Sequence, residues 1–99
     1  MEKGLLTRRF ICEHQVVPGL DLNRIKDMHR TKRQDINVLY SFASLEERCM
    51  YTVVESHDRM HVEAFFSDMR VPWDSIIEVD VQGEGRETVN DLRELRRAA

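Results

Sequence analysis

The segment from Glu55 to Val79 constrains the fold of this chain more than any other part of its sequence. Asp58 can accept a hydrogen bond from an unpaired N–H in the first turn of a helix, and Pro72 ends a helix near Arg70. The spacing therefore predicts a helix over residues 59–70, with a strand on either side. At helical spacing, one face of this helix is apolar and carries Val62, Phe65, Phe66 and Met69. Such a face is typical of a helix that covers a sheet.

The length and charge of the chain limit its class. Its 99 residues predict one domain, and its net charge of −3 would repel a phosphate backbone, so nucleic acid is not an expected partner. No apolar run approaches the roughly 20 residues that span a bilayer, and the N-terminal sequence lacks the features of a signal peptide. We therefore expect a cytoplasmic protein that does not bind membranes. Cys12 and Cys49 lack metal or redox spacing, and we expect buried free thiols.

Other patterns predict four strands and a further helix. Alternating or β-branched runs predict strands over residues 7–13, 35–44, 48–55 and 73–81. Asp21 is the expected cap of a helix that continues through Gln34. These elements form a domain core over about residues 7–82. After Gly83 and Gly85, the spacing of Val89, Leu92 and Leu95 predicts a C-terminal helical extension over about residues 86–99.

The resulting order, β-α-β-β-α-β, predicts an α+β fold of the ferredoxin-like, or split βαβ, type. Its two helices would cover one face of an antiparallel sheet and leave the other face bare. We expect that bare face to carry Ile76, together with Val38, Tyr40 and Phe42. An apolar face of this kind needs a partner to exclude water. The sequence therefore predicts a homodimer in which two sheets form a dimeric α/β barrel with an interior pocket.

Three glutamates are predicted at neighbouring strands. Strand one is expected between strands three and four, which would bring Glu13, Glu55 and Glu78 towards one another. Such a cluster must hold a cation, share a proton or find arginine partners. The alternative is that each carboxylate is a solvated strand-end group or pairs with an arginine, Arg9, Arg48 or Arg70.

His57 and His61 are four residues apart, and we expect both on the flank of one helix, the second. Their imidazoles can point the same way, and this spacing suits a shared transition-metal ion. Glu55, Asp58 or Asp68 could add oxygen ligands. The alternative is an exposed helix flank with no ligand. His14 and His29 are expected to be surface or packing histidines.

Several motifs resemble a family of small ferredoxin-like proteins classed as a domain of unknown function, which includes a bacterial nickel-binding member. The motifs are Phe10 to Glu13 followed by Pro18-Gly19-Leu20, then Tyr40-Ser41-Phe42, and the segment Glu55 to Val79. The resemblance covers about residues 10–79 and implies a dimeric α+β barrel and divalent-metal binding.

This chain departs from that family at two places. Phe65 stands where many relatives carry a histidine, and Ser56-His57 replaces an alanine-proline. Nickel binding would then be lost or would use other imidazoles. With nickel or another divalent transition metal as the expected cofactor, the predicted ligands are His57, His61, Glu13 and Glu55.

Enzyme motifs are absent from the sequence: it has no phosphate-binding loop, no GxSxG and no HExxH. By analogy of fold with small oxygenases and isomerases, a small-molecule enzyme or binder that uses the barrel pocket is the alternative function. Its candidate residues are Tyr40, His14 and Glu13. A third possibility is an assembly module whose C-terminal tail packs on another chain.

Overall fold

The computed structural model describes residues 6, 8–18, 20–86 and 88–94. Its elements, in chain order, are β1 (Arg8–Gln15), α1 (Leu22–His29), β2 (Ile36–Ser44), β3 (Cys49–Ser56), α2 (Arg59–Met69), β4 (Ser75–Val79), β5 (Val81–Glu84) and β6 (Thr88–Asp91). Within the part of the chain that the structure describes, no helix is both long and apolar enough to cross a membrane.

The first four strands form one antiparallel sheet in the order β2-β3-β1-β4. β1 pairs with β3 on one side and with β4 on the other, which confirms that strand one lies between strands three and four. The molecule is thus a small α+β protein with an antiparallel sheet, compatible with the predicted ferredoxin-like fold.

The core lies between this sheet and the two helices. Alternation along β1 sends Phe10, Cys12 and His14 into it. From α2, Val62, Phe65 and Phe66 are fully buried and Met69 packs against them. The apolar face predicted for this helix is therefore confirmed.

Both helices begin at the predicted caps. Asp58 Oδ1 accepts a hydrogen bond from the backbone N–H of His61 at 2.9 Å, and Asp21 Oδ1 accepts one from Arg24 at 3.0 Å. The helix α2 ends at Arg70, whose φ of 57° lies in the left-handed region. The prediction of α2 was therefore accurate at both ends.

The predicted extent of α1 was too long, because the helix ends at His29 rather than near Gln34. Met28 is the last buried residue of α1. The segment 30–34 offers no apolar side chain to the sheet, so nothing holds it in a continued helix.

The C-terminal part of the chain also differs from the prediction. Residues 88–91 form a strand, β6, which pairs with β5, so the helical extension predicted over about residues 86–99 is wrong there, whereas residues 92–94 are helical. The chain leaves β4 at Asp80 rather than at Gly83, and Gly85, with φ of 67°, lies in the turn of the new hairpin. Leu92 is buried, and its N–H donates to the carbonyl of Asp80 at 2.8 Å. Residues 95–99, including Leu95, lie outside the described residues.

Two residues predicted on the bare side of the sheet lie on the helix-covered side. Ile76 is only 4% exposed, because it pairs with the buried Cys12. Val38 packs against the core, because the register of β2 shifts between Val38 and Tyr40 at a β-bulge. Tyr40 and Phe42 do lie on the bare side, as predicted.

Candidate functional site

The surface of the four-stranded sheet that faces away from the helices is the candidate site, and we call it the open face. The strand register arranges its side chains in cross-strand rows. The rows are Phe42, Tyr51, Glu13 and Ser75; then Tyr40, Val53, Ile11 and Ile77; then Asn37, Glu55, Arg9 and Val79.

Large apolar side chains on the open face are exposed to solvent. Tyr40, Phe42 and Ile77 are 58%, 60% and 59% exposed, and Ile11 and Tyr51 are each about two-fifths exposed. The rings of Tyr40 and Phe42 stack, with centroids 6.2 Å apart and 23° between their planes. Sequence reasoning found Tyr40 and Phe42 but missed the other three residues. The alternation of β1 and β3 about their buried residues was the signal that could have found Ile11 and Tyr51.

Glu13 occupies the open face beside Tyr51. The Tyr51 hydroxyl donates to Glu13 Oε2 at 3.4 Å, and the Ser75 hydroxyl donates to Oε1 at 3.5 Å. The negative charge of Glu13 raises the pKa of Tyr51. Among residues 6, 8–18, 20–86 and 88–94, no basic side chain forms an ion pair with Glu13.

Glu55 is neutralised on the same face. Its Oε2 accepts a hydrogen bond from Arg9 Nη2 at 2.6 Å, and its Oε1 accepts one from the Asn37 side chain at 3.3 Å. Arg9 also donates to the side-chain oxygen of Gln82 in β5. The arginine partner proposed for Glu55 as an alternative to a carboxylate cluster is therefore present.

The predicted cluster of three glutamates does not form. Glu78 pairs in register with the buried Phe10, so it leaves the sheet on the helix-covered side, and its carboxylate lies 3.8 Å from Arg8 Nε. Glu13 and Glu55 share the open face, but the row containing Ile11 separates them. Glu55 lies opposite Arg9, which is four residues from Glu13 in β1. The two glutamates are therefore about 13 Å apart along the strand direction.

The structure brings together His57 and His61 from the predicted metal ligands. The prediction that both lie on one helix is wrong, because His57 precedes the N-cap Asp58 and only His61 lies in α2. Their ring centroids are 5.5 Å apart. His61 Nδ1–H donates to Asp58 Oδ1 at 2.7 Å, an interaction that lowers the pKa of Asp58 and leaves His61 Nε2 available to a ligand.

The remaining predicted oxygen ligands lie in other contacts. Glu55 pairs with Arg9, Glu13 contacts Tyr51 and Ser75, and Asp68 pairs with Arg33 at 2.7 Å. Over the described ranges, no group of three or more His, Cys, Asp or Glu side chains is arranged to hold a metal ion.

His14 is fully buried on the helix-covered side of β1. Its Nδ1–H donates to the Pro72 carbonyl at 2.8 Å, and its ring packs on that of Phe66 in a T-shaped arrangement with the ring centroids 4.7 Å apart. Burial is the main cause that lowers the pKa of His14, against the raising effects of the Pro72 bond and of Asp74 and Glu13. This is a packing histidine, as predicted. It does not join Glu13 and Tyr40, which lie on the opposite side, so the suggested catalytic trio is not assembled.

The two cysteines are free, as predicted, but only Cys12 is fully buried. Burial raises the pKa of Cys12 to about 12. Cys49 is half-buried and lies opposite Gln15, at the end of the open face. The positive charge of Arg59 acts on the pKa of the Cys12 thiol in the opposite direction, but burial is the larger effect.

A groove of about 540 Å³ lies at one end of the sheet, between α1 and the turn from β2 to β3. Leu20, Ile25, Ala43 and Leu45 line it, and Asp21 is its polar residue. The Asp21 carboxylate caps α1 through Oδ1, so the side chain that gives the groove its polar character also serves the helix.

Comparisons with protein-family models, with curated proteins and with solved structures find no match to this chain. The resemblance to the nickel-binding family therefore stays a prediction, and the open face and the histidine pair are the features from which a function can be argued.

Proposed function

We propose that this protein functions as a homodimer in which two open faces meet, forming a dimeric α/β barrel that encloses a chamber for a small-molecule ligand. The observation that supports this proposal is the contiguous apolar surface formed by Ile11, Tyr40, Phe42, Tyr51 and Ile77.

The size of this surface favours a second copy of the chain as its partner. From their exposed fractions, these five side chains present on the order of 500 Å², since an aromatic side chain can bury about 150–250 Å². The largest apolar patch of a typical monomer is about 300–600 Å² and is often functional. Two such patches and their polar rims approach the roughly 1,200–2,000 Å² of a stable interface.

The charges of the open face are compatible with self-association. A two-fold interface places the same patch on both sides, so unpaired like charges would repel. Arg9 and Glu55 neutralise each other within one protomer. Glu13 is the charge that remains, at one end of the face, where it would line the chamber.

Sedimentation of the wild type and of an Ile77→Lys variant tests the dimer. The protomer mass is 11.7 kDa, and we expect the wild type to sediment as a species of twice that mass. Lysine at position 77 places a charge in the centre of the interface and should give the protomer. Because Ile77 is already exposed in the protomer, the variant should fold normally.

Met60→Lys is the matched control, because Met60 is also an exposed apolar residue but lies on α2 in the helix layer. This variant should remain dimeric. A wild type that sediments as a protomer at micromolar concentrations would overturn the proposal.

A second candidate function is the binding of a divalent transition metal, nickel by the resemblance, at His57 and His61. The observation that favours it is the pairing of the two rings together with the bond from His61 to Asp58. A carboxylate on the second ring nitrogen orients a histidine that binds a metal through the first. Two imidazoles leave coordination positions for water or for a group from another chain.

Calorimetric titration with nickel, copper and zinc tests this site. His57→Ala and His61→Ala should each weaken binding at least tenfold, and Asp58→Asn should weaken it about 10- to 100-fold while still capping α2. His29→Ala, which removes an exposed histidine elsewhere, should bind as the wild type does. Equal heats from all variants would exclude the histidine pair as the metal site.

A further inference from the structure

Three aromatic rings and one carboxylate lie together on the open face, and we call them the aromatic-carboxylate cluster: Tyr40, Phe42, Tyr51 and Glu13. Phe42, Tyr51 and Glu13 are successive cross-strand neighbours in one row. Tyr40 stacks on Phe42 from the adjoining row. The register alone thus places an acid at the edge of an aromatic surface.

This cluster has a negative electrostatic character. Aromatic faces carry the negative part of the ring quadrupole. Glu13 forms no ion pair with a basic side chain in the described part of the chain, and its two hydrogen bonds, at 3.4 and 3.5 Å, are long. A carboxylate can accept about four hydrogen bonds, so Glu13 retains capacity for a cationic partner. The Arg9–Glu55 pair, separated from the cluster by the row containing Ile11, adds no net charge.

We propose that the aromatic-carboxylate cluster binds a small organic ammonium cation. An alkylated ammonium group is attracted to aromatic faces and to a carboxylate, and its alkyl shell is compatible with apolar surroundings. A small divalent metal ion fits less well, since it takes several oxygen ligands and the cluster supplies one carboxylate. The inference rests on the proposed dimer, because a second sheet would exclude water from the cluster and strengthen both attractions.

Titration of the wild-type protein with choline and with 3,3-dimethyl-1-butanol, its uncharged isostere, tests the inference without any substitution. NMR or calorimetry at constant ionic strength reports both affinities. We expect choline to bind at least tenfold more tightly, because only the positive charge differs between the two molecules. Equal affinities, or no binding of either at millimolar concentration, would overturn the inference.

Variants assign the site. Glu13→Gln should reduce the affinity for choline about tenfold and leave the affinity for the uncharged isostere unchanged. Phe42→Leu should reduce the affinity for choline severalfold, because it replaces a ring with an aliphatic group. Glu63→Gln is the matched control, because it removes a carboxylate from α2 in the helix layer. Equal loss in Glu63→Gln and Glu13→Gln would assign the preference to overall charge and would contradict the site.

Sedimentation of the same samples separates this inference from the proposed function. A dimer that does not prefer choline contradicts the ammonium site and leaves the dimer intact. If the protein is a protomer that still prefers choline, the proposed ligand class is supported but the chamber enclosed by a dimer is contradicted. A protomer without preference overturns both.

Discussion

Glu13 and His14 are neighbours in β1, yet their side chains occupy opposite environments. Glu13 lies on the open face beside two hydroxyl groups, whereas His14 is fully buried between the sheet and α2. His14 Nδ1–H donates to the Pro72 carbonyl, whereas His14 Nε2 has no hydrogen-bond partner among the described residues. A proton on Nε2 would therefore place a charge in an apolar site without a second acceptor.

We predict that His14 makes the protein less stable in mild acid. Since burial lowers the pKa of His14 in the folded state, the unfolded chain binds a proton first as the pH falls. The contribution of neutral His14 to the free energy of unfolding is complete above the ordinary histidine pKa of about 6.5. It is lost as the pH falls below that value, at up to about 1.4 kcal/mol per pH unit. Urea denaturation at pH 7 and pH 5 measures this loss.

His14→Gln tests the assignment, because glutamine can still donate to the Pro72 carbonyl but does not titrate. Its free energy of unfolding should change less than that of the wild type between these pH values. His29→Gln, at an exposed histidine, should retain the wild-type dependence. The same slope in wild type and His14→Gln would show that other groups cause it.

The secondary-structure elements show which parts of the fold the sequence could predict. The helix α2 was predictable because an N-cap and a continuous apolar stripe agree. Which side chains of β2 and β4 face the helices could not be predicted, for two physical reasons. An unpaired Leu39 shifts the alternation of β2, and the consecutive isoleucines Ile76 and Ile77 fit either register, so only pairing with β1 decides which is buried.

The C-terminal hairpin was missed for a similar reason. Val89 and Leu92 fit helical spacing, but residues 88–91 satisfy their backbone by pairing with β5. Of the candidate site, Tyr40, Phe42 and the histidine pair were predictable from local patterns. The neighbours of Glu13 were not, because they depend on pairing between strands distant in sequence.

The end of α2 gives a stability prediction. Arg70 caps the helix in the left-handed region, which costs a residue other than glycine on the order of 1 kcal/mol. Arg70→Gly should raise the free energy of unfolding by about 0.5–1 kcal/mol in urea denaturation. The hydrogen bond that the Arg24 guanidinium donates to the Arg70 backbone carbonyl, at 2.8 Å, is retained in this variant.

Arg30→Gly is the matched control for the cap, because Arg30 ends α1 at an ordinary φ of −93°. There glycine only adds freedom to the unfolded chain, and stability should fall by about 0.5–1 kcal/mol. A gain of stability in both variants would contradict the explanation from backbone conformation.

The molecule as a whole has two unequal sides. Its helix-covered side contains the apolar core, whereas its open face exposes a second apolar surface around one paired and one unpaired acid. This asymmetry is the physical basis for proposing both a dimer and an ammonium site. A protein whose folded state is a dimer gains stability as its concentration rises.

We therefore predict that the Tm of the wild type rises with protein concentration, by roughly 3 °C for each tenfold increase. Scanning calorimetry across a hundredfold range of concentration measures this shift. Ile77→Lys should show a lower Tm that is independent of concentration, and Met60→Lys should behave as the wild type does. A constant Tm for the wild type would show that unfolding is not coupled to dissociation and would contradict the proposed dimer.

The β-bulge at Leu39 has a consequence for how copies of this protein can meet. β2 is an edge strand, and a regular edge is a template on which further chains can add and grow into fibrils. The extra residue interrupts the repeat of outward backbone groups along that edge, so an incoming strand cannot stay in register over its length. The bulge therefore makes open-ended polymerisation at the β2 edge less favourable.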